Sequence, residues 1–264
     1  IRKFAAFNSY SHFLSYINVA PRENWSFFEV IMADCKQKLY FDIDIAKNKI
    51  PVNENLKDFS GRLLNYLLAA IELTLLEHEI KVNIEKDIMI FSSNADHKYS
   101  YHVILNNYYI HNNKLNASLS SEIKKKMPEE YANFVDDAVY KGKQQLRCYK
   151  SRKLGTTRVK ELVASYYYNE KLITQDDSNF ENTFKLSCIT YTEHCQLIPV
   201  CIQSDNSILT INTDVATLTQ VDIDEIKKLA PPVLFKIFKM TNVKGKLITL
   251  ALSLIHISEP TRPY

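Results

Sequence analysis

"LYFDIDIAK", Leu39 to Lys47, places two aspartates one residue apart inside an apolar run. Side chains on a strand alternate between faces, so residues two apart share one. Leu39, Phe41, Ile43 and Ile45 then point into a core, while Tyr40, Asp42 and Asp44 point the other way. Two carboxylates a few ångströms apart repel unless a cation sits between them. Hard oxygen ligands suit Mg²⁺ or Mn²⁺. A solvated edge strand and the DxD of a nucleotide-sugar glycosyltransferase fit the same residues, so the pair alone leaves three readings open.

Around this stretch the pattern mixes helix and strand without a regular βαβα alternation, which predicts an α+β fold. Phe27 to Ile31 and Lys38 to Ile45 read as strands joined by a polar turn. Leu63, Leu64, Leu67, Leu68, Ile71 and Leu75 recur at helical spacing, with Asp58 or Ser60 as the cap. "DIMIFSSN" and "SYHVILNNYYI" read as a strand pair around "ADHK", and "SLSSEIKKKMPEEYANF" as a helix broken at Pro128. "FVDDAVY" and "QLRCYKS" read as strands flanking a basic loop. Further on, "NEKLITQDDSNFENT" reads as loop, "FKLSCITYTEHCQLIPVCIQ" as strands and "DIDEIKKLAPPVLFKIF" as a helix. No GxxxxGK[ST] is present, so these residues hold no P-loop NTPase motor.

With 264 residues, 46% hydrophobic and 24% charged, the chain has enough apolar surface for a sizeable core. The formal charge of +3 is mild, but Lys141 to Lys160 holds eight Lys or Arg and no acid. Such a block is a solvated face or an anion-binding one. Five cysteines, odd in number and without a CxxC pair, point to reduced thiols in a cytosolic or nuclear setting, not a secreted one. Leu63 to Leu76, interrupted by Asn65 and Glu72, is too short for a membrane span. The start at Ile1 and the tail "LSLIHISEPTRPY" read as a fragment ending in a sequencing-adapter translation, so 252–264 is set aside.

Two more constellations carry chemistry. In "HKYSYHVIL", Lys98, Ser100 and His102 lie at period two, giving one strand face a cation, a hydroxyl and an imidazole. All three can donate to phosphate oxygens. In "FVDDAVYKGKQQLRCYKSRKLG", Asp136 supplies a third carboxylate, and Arg147, Lys150, Arg152 and Lys153 supply cations for a triphosphate. A turn role for Asp137 and a wet surface for the basic run are the plain alternatives.

In this order, hhhDxD, then KxSxH, then hDxxVYxxxxxxR with a following YKS and Lys, the chain resembles the archaeo-eukaryotic primase superfamily over roughly Phe27 to Lys153. The likeness is to its primase-polymerase branch and to primase domains of large nucleocytoplasmic DNA viruses. It implies a primase catalytic fold whose RRM-like sheet carries the active site, spanning 1–175. The remainder, 176–251, would extend the catalytic region or begin a linker to a missing helicase domain. It also implies a nucleotidyltransferase, with Asp42, Asp44 and Asp136 holding two Mg²⁺ or Mn²⁺ ions. Lys98, Ser100, His102, Arg147 and Lys153 would bind the NTP or dNTP, with single-stranded DNA as template. Two departures are visible: Gln144 stands where that branch often has a basic residue, and Asp44 where it often has glutamate.

The alternatives are a damage-tolerance primase-polymerase, a DxD glycosyltransferase and a catalytically dead single-strand-binding module. Zinc is not expected: Cys188, His194, Cys195 and Cys201 lack zinc-finger or zinc-ribbon spacing and read as thiols and a histidine in strands. Tyr166 to Tyr168, Tyr108 and Tyr109 read as the half-buried face of a sheet, with base stacking as the alternative.

Overall fold

The computed structural model describes residues 2–200 and the backbone of short strands at 203–204, 207–208 and 254–258. The chain opens with β1 (Arg2–Ala6), α1 (Tyr10–Ile17) and β2 (Phe27–Ile31), then enters β3 (Gln37–Ala46). Next come α2 (Leu56–Glu77), the single turn α3 (Ile84–Asp87), β4 (Ile88–Ser92) and β5 (Lys98–Ile110). Helices α4 (Asn113–Lys125) and α5 (Glu129–Ala132) lead to β6 (Gln144–Arg147) and β7 (Glu161–Leu162). The hairpin of β8 (Ser165–Tyr168) and β9 (Lys171–Thr174), helix α6 (Phe180–Ser187) and β10 (Gln196–Leu197) follow. After them come β11 (Gln203–Ser204), β12 (Ser207–Ile208) and β13 (Leu254–Ser258).

The fold is α+β. In the central sheet β5 lies between β3 and β4, both antiparallel to it, with β7 beyond β4. Beyond the end of β4, β10 runs parallel to β5 at Tyr108 and Tyr109. A second antiparallel sheet has the order β1-β13-β2-β6. Its β13 backbone comes from the tail set aside above. Residues Gln203–Leu252 form a separate unit, of which the β11–β12 hairpin is described.

Each face of the central sheet buries its own core, because alternation along β3 and β5 divides their side chains cleanly. Leu39, Phe41, Ile43, Ile45, Val103 and Leu105 pack with the apolar stripe of α2 and with Leu115, Leu119 and Ile123 of α4. On the other face Tyr40, Phe91 and Ile104 pack with Trp25, Phe27, Leu146, Tyr149 and Phe184. The second sheet and α6 thus cover only one end of that face. The acidic end of β3 lies beyond the cover.

Helix α2 begins earlier than Asp58 or Ser60, because the Asn55 side chain caps it by accepting from Asp58 N at 2.8 Å. At 22 residues it is long and apolar enough to cross a membrane, which corrects the shorter sequence reading. Its stripe from Leu56 to Leu75 is buried in the core, as in a helix of a water-soluble domain.

Three further expectations fail. "FVDDAVY" is not a strand: Val135 makes one isolated bridge, and Asp137–Tyr140 turn as a 3₁₀ helix. The Asp136 side chain accepts from Ala138 N at 2.8 Å, so this short polar residue caps the turn instead of extending a strand. "NEKLITQDDSNFENT" contains β9, and the start of "FKLSCITYTEHC" belongs to α6, capped by Asn179 accepting from Asn182 N at 3.0 Å. The helix read in "DIDEIKKLAPPVLFKIF" lies outside the described residues.

Candidate active site

The register of β3 against β5 sets Asp42 opposite His102, Asp44 opposite Ser100 and Ala46 opposite Lys98. The two period-two motifs are therefore one surface, since directly opposed residues project their side chains to the same side. Ser100 Oγ donates to Asp44 Oδ1 at 2.6 Å, Lys98 Nζ lies 2.8 Å from Asp44 Oδ2, and His102 Nε2 lies 3.4 Å from Asp42 Oδ1. Ser100 is held from behind by Asn94, whose Oδ1 accepts from Ser100 N at 3.0 Å.

Asp136 reaches this surface from far along the chain. Residues 134–136 run along the free edge of β3, where Val135 bridges Ile43. Asp44 N donates to Phe134 O at 3.3 Å and Asp136 N to Asp42 O at 2.9 Å. Side chains fix the segment too: Lys124 Nζ donates to Val135 O (3.0 Å) and Asp137 Oδ2 (2.7 Å), and Tyr40 Oη to Val139 O (2.6 Å). Asp137 begins the 3₁₀ turn that Asp136 caps, and the Asp136 main chain lies alongside Asp42. Gln144 Nε2 donates to Ala138 O at 2.9 Å, so the residue lacking the expected charge pins this turn instead.

A basic wall lies beside His102. Arg147, at the end of β6, is buried; its guanidinium donates to Arg158 O at 2.9 Å and to Ser93 Oγ at 2.8 Å. Lys160 is also buried, with Nζ donating to Arg147 O at 2.8 Å. Lys153 is exposed on a turn closed by Thr156 N donating to Lys153 O at 3.0 Å, with Gly155 at φ +75°. That left-handed backbone is one glycine adopts without strain. Among these, Ser93, Arg158 and Lys160 were not singled out by sequence. Lys160 had a faint signal as the last residue of the basic block.

Two residues apart, the aspartates differ in charge behaviour. Burial, then Asp44 and Asp136, push the Asp42 carboxyl up to about 6, against the opposing pull of Lys160 and Lys153. Burial also opposes ionisation of Asp44, yet hydrogen bonds from Lys98 and Ser100 and the charges of Lys98 and Lys153 hold it below the usual carboxylate range. His102 is driven well below the ordinary imidazole value by burial, and then by Lys160, Arg147 and Lys153. It is neutral at pH 7, and its buried Nδ1 has no hydrogen-bond partner among the described residues.

The hard oxygens of Asp42, Asp44 and Asp136 are of the donor type that suits Mg²⁺ or Mn²⁺, and the Asp136 N–Asp42 O bond brings the third residue alongside the two on β3. In the arrangement present, Asp44 is turned to Lys98 and Asp136 to Ala138 N, and no three-ligand cluster of His, Cys, Asp or Glu is closed among the described residues. Cys188 is buried with Sγ donating to Phe184 O, and Cys195 Sγ donates to Asn106 O at 3.0 Å, so these thiols serve local packing. Cys188 caps a helix and is not on a strand; Cys201 lies outside the described residues. Of the tyrosine run, Tyr166 and Tyr168 are buried and Tyr167 is exposed, as a half-buried face requires.

The fold and the surface thus define an α+β protein with an acidic strand pair faced by a Lys–Ser–His row and a basic wall. No protein-family model matches the chain. It is similar to proteins of African swine fever virus described provisionally as helicase/primase complex proteins. The identity is 26% over 239 residues for isolate Pig/Kenya/KEN-50/1950 and 25% over 249 for strain Badajoz 1971 Vero-adapted. A third, from isolate Tick/Malawi/Lil 20-1/1983, is 26% identical over 243 residues. The matches cover 86% of this chain and 21–23% of those proteins, so the chain spans about a fifth of their length.

Proposed function

We propose that this chain carries the active site of a DNA primase or primase-polymerase of archaeo-eukaryotic type. It would join nucleotides to a 3′-hydroxyl on a single-stranded DNA template. The observation that carries the reading is the register pairing Asp42 with His102 and Asp44 with Ser100, with Asp136 hydrogen-bonded onto the same strand. The viral relatives, named for a helicase/primase complex, support a replication role and a helicase partner.

In this reading Lys98, Ser100, Arg147 and Lys153 donate to the phosphate oxygens of the incoming nucleotide. Lys98 and Ser100 exchange Asp44 for phosphate as it enters, which frees the carboxylate. His102, neutral and held beside Asp42, offers one ring nitrogen as donor without adding charge. Asp42, Asp44 and Asp136 would hold Mg²⁺ or Mn²⁺, which when bound supplies Lewis acidity and charge neutralisation. The primer 3′-oxygen attacks the α-phosphorus in line, pyrophosphate leaves and the hydroxyl proton is released. The chain contributes positioning and preset charge.

Primer synthesis on single-stranded DNA, with Mg²⁺ or Mn²⁺ and either ribo- or deoxynucleotides, tests the reading. Wild type should make product, and Asp42→Ala and Asp136→Ala should not while remaining folded. Incorporation from a UDP-sugar instead would establish the glycosyltransferase. Salt-dependent strand binding without synthesis would establish the dead module.

A further inference from the structure

Lys160 is 1% exposed, and among the described residues its Nζ makes a single hydrogen bond, to the main-chain oxygen of Arg147. It lies 5.0 Å from the centre of the Phe91 ring, and Phe91 pairs with His102 across β4 and β5. The Arg147 guanidinium is buried too, and its Nε has no hydrogen-bond partner among the described residues. Neither cation has a carboxylate within ion-pairing distance among the described residues. Glu29, whose charge reaches Lys160, is already committed to Ile189 N at 2.8 Å and to Thr190 N and Oγ1 at 2.8 and 2.6 Å.

Two buried, unpaired cations side by side are costly, and apolar replacements of similar volume are often neutral or stabilising. Burial pushes the Lys160 ammonium down to about 8, so it stays largely charged at neutral pH. Among the described cations its charge acts most strongly on Asp42, favouring the carboxylate, and on His102, disfavouring the imidazolium. A ligand with several negative charges in front of Arg147 would supply the missing counter-charge.

We propose that Lys160 is a positioning residue of the triphosphate site, fixing Arg147 through its main-chain oxygen and presenting a standing positive charge behind it. The inference rests on the nucleotidyl-transfer reading above. Lys160 also tethers the Lys153 loop, since Lys160 N donates to Ser151 O at 2.9 Å and Lys150 N to Lys160 O at 2.8 Å.

The test measures binding of a deoxynucleoside triphosphate with a non-hydrolysable α–β link, by calorimetry, alongside thermal melting and steady-state kinetics of primer extension. Lys160→Met should weaken binding and raise KM about tenfold, leave kcat within about threefold, and melt at or above the wild-type temperature. Lys160→Gln, which keeps a donor for Arg147 O without the charge, should show the same affinity loss. Wild-type affinity in folded Lys160→Met would overturn the inference, as would a lowered melting temperature in both variants with kcat and KM falling together. If Lys160→Met does not fold, Lys160→Gln decides by the same criteria. Absence of triphosphate binding by wild type would overturn the nucleotide reading itself, which separates the two failures.

Discussion

On one face of β3, Leu39, Phe41, Ile43 and Ile45 are fully buried against α2 and α4. On the other, Tyr40 is covered by the second sheet, but Asp42 and Asp44 emerge beside Lys98, Ser100 and His102. The backbone is common to both, so the difference lies in what each face gains by being occupied. The apolar face stabilises the fold. On the acidic face Asp44 is stabilised by Lys98 and Ser100, while Asp42 carries the cost, its carboxyl pushed up by burial and then by Asp44 and Asp136.

Breaking the acidic face should be the larger effect on activity. Asp136→Ala or Asp42→Ala should lower primer synthesis at least about a thousandfold with an unchanged far-UV spectrum, on the scale of losing a preset electrostatic group. Breaking the apolar face should do the reverse. Phe41→Ala should cost about 3–5 kcal/mol in urea unfolding, the usual range for truncating a buried aromatic.

A subtler experiment reads both faces at once. The folded Asp42 pKa, about 6, lies above its unfolded value of roughly 3.9. The stability it contributes is present below the unfolded value and lost as pH rises through the folded one. In metal-free buffer Asp42→Asn should therefore be about 1–3 kcal/mol more stable than wild type near pH 8, converging with it near pH 4. Equal stability of the two at both pH values would remove the like-charge argument. The smallest expected effect is at His102. His102→Ala should raise KM for the nucleotide about tenfold with little change in kcat, since the ring adds a donor without charge.

Much of this was legible in the chain. Alternation alone assigned the faces of β3, and the polar "ADHK" marked the turn between β4 and β5. What alternation leaves open is register, because a two-residue slip keeps every face but changes every partner. The observed alignment of Asp42 with His102 was thus not readable locally. The 3₁₀ turn after Asp136 was missed because "FVDDAVY" has strand-like apolar content, while its aspartates compete for backbone amides. Lys160 was hidden for another reason. A lysine in a basic block looks solvated, and only tertiary packing against Phe91 buries it.

The docking of residues 134–136 on β3 has a consequence for motion. Main chain to main chain, that edge has two hydrogen bonds around one bridge, with Lys124 adding a side-chain bond to Val135 O, against the long ladder joining β3 to β5. Short peripheral pairings open at low free energy while the ladder stays closed. The amide of Asp136 should therefore exchange with solvent deuterium well before those of Phe41 and Ile43. Under the proposed nucleotidyl-transfer reading, closing of this edge onto β3 would be a step that a bound nucleotide favours.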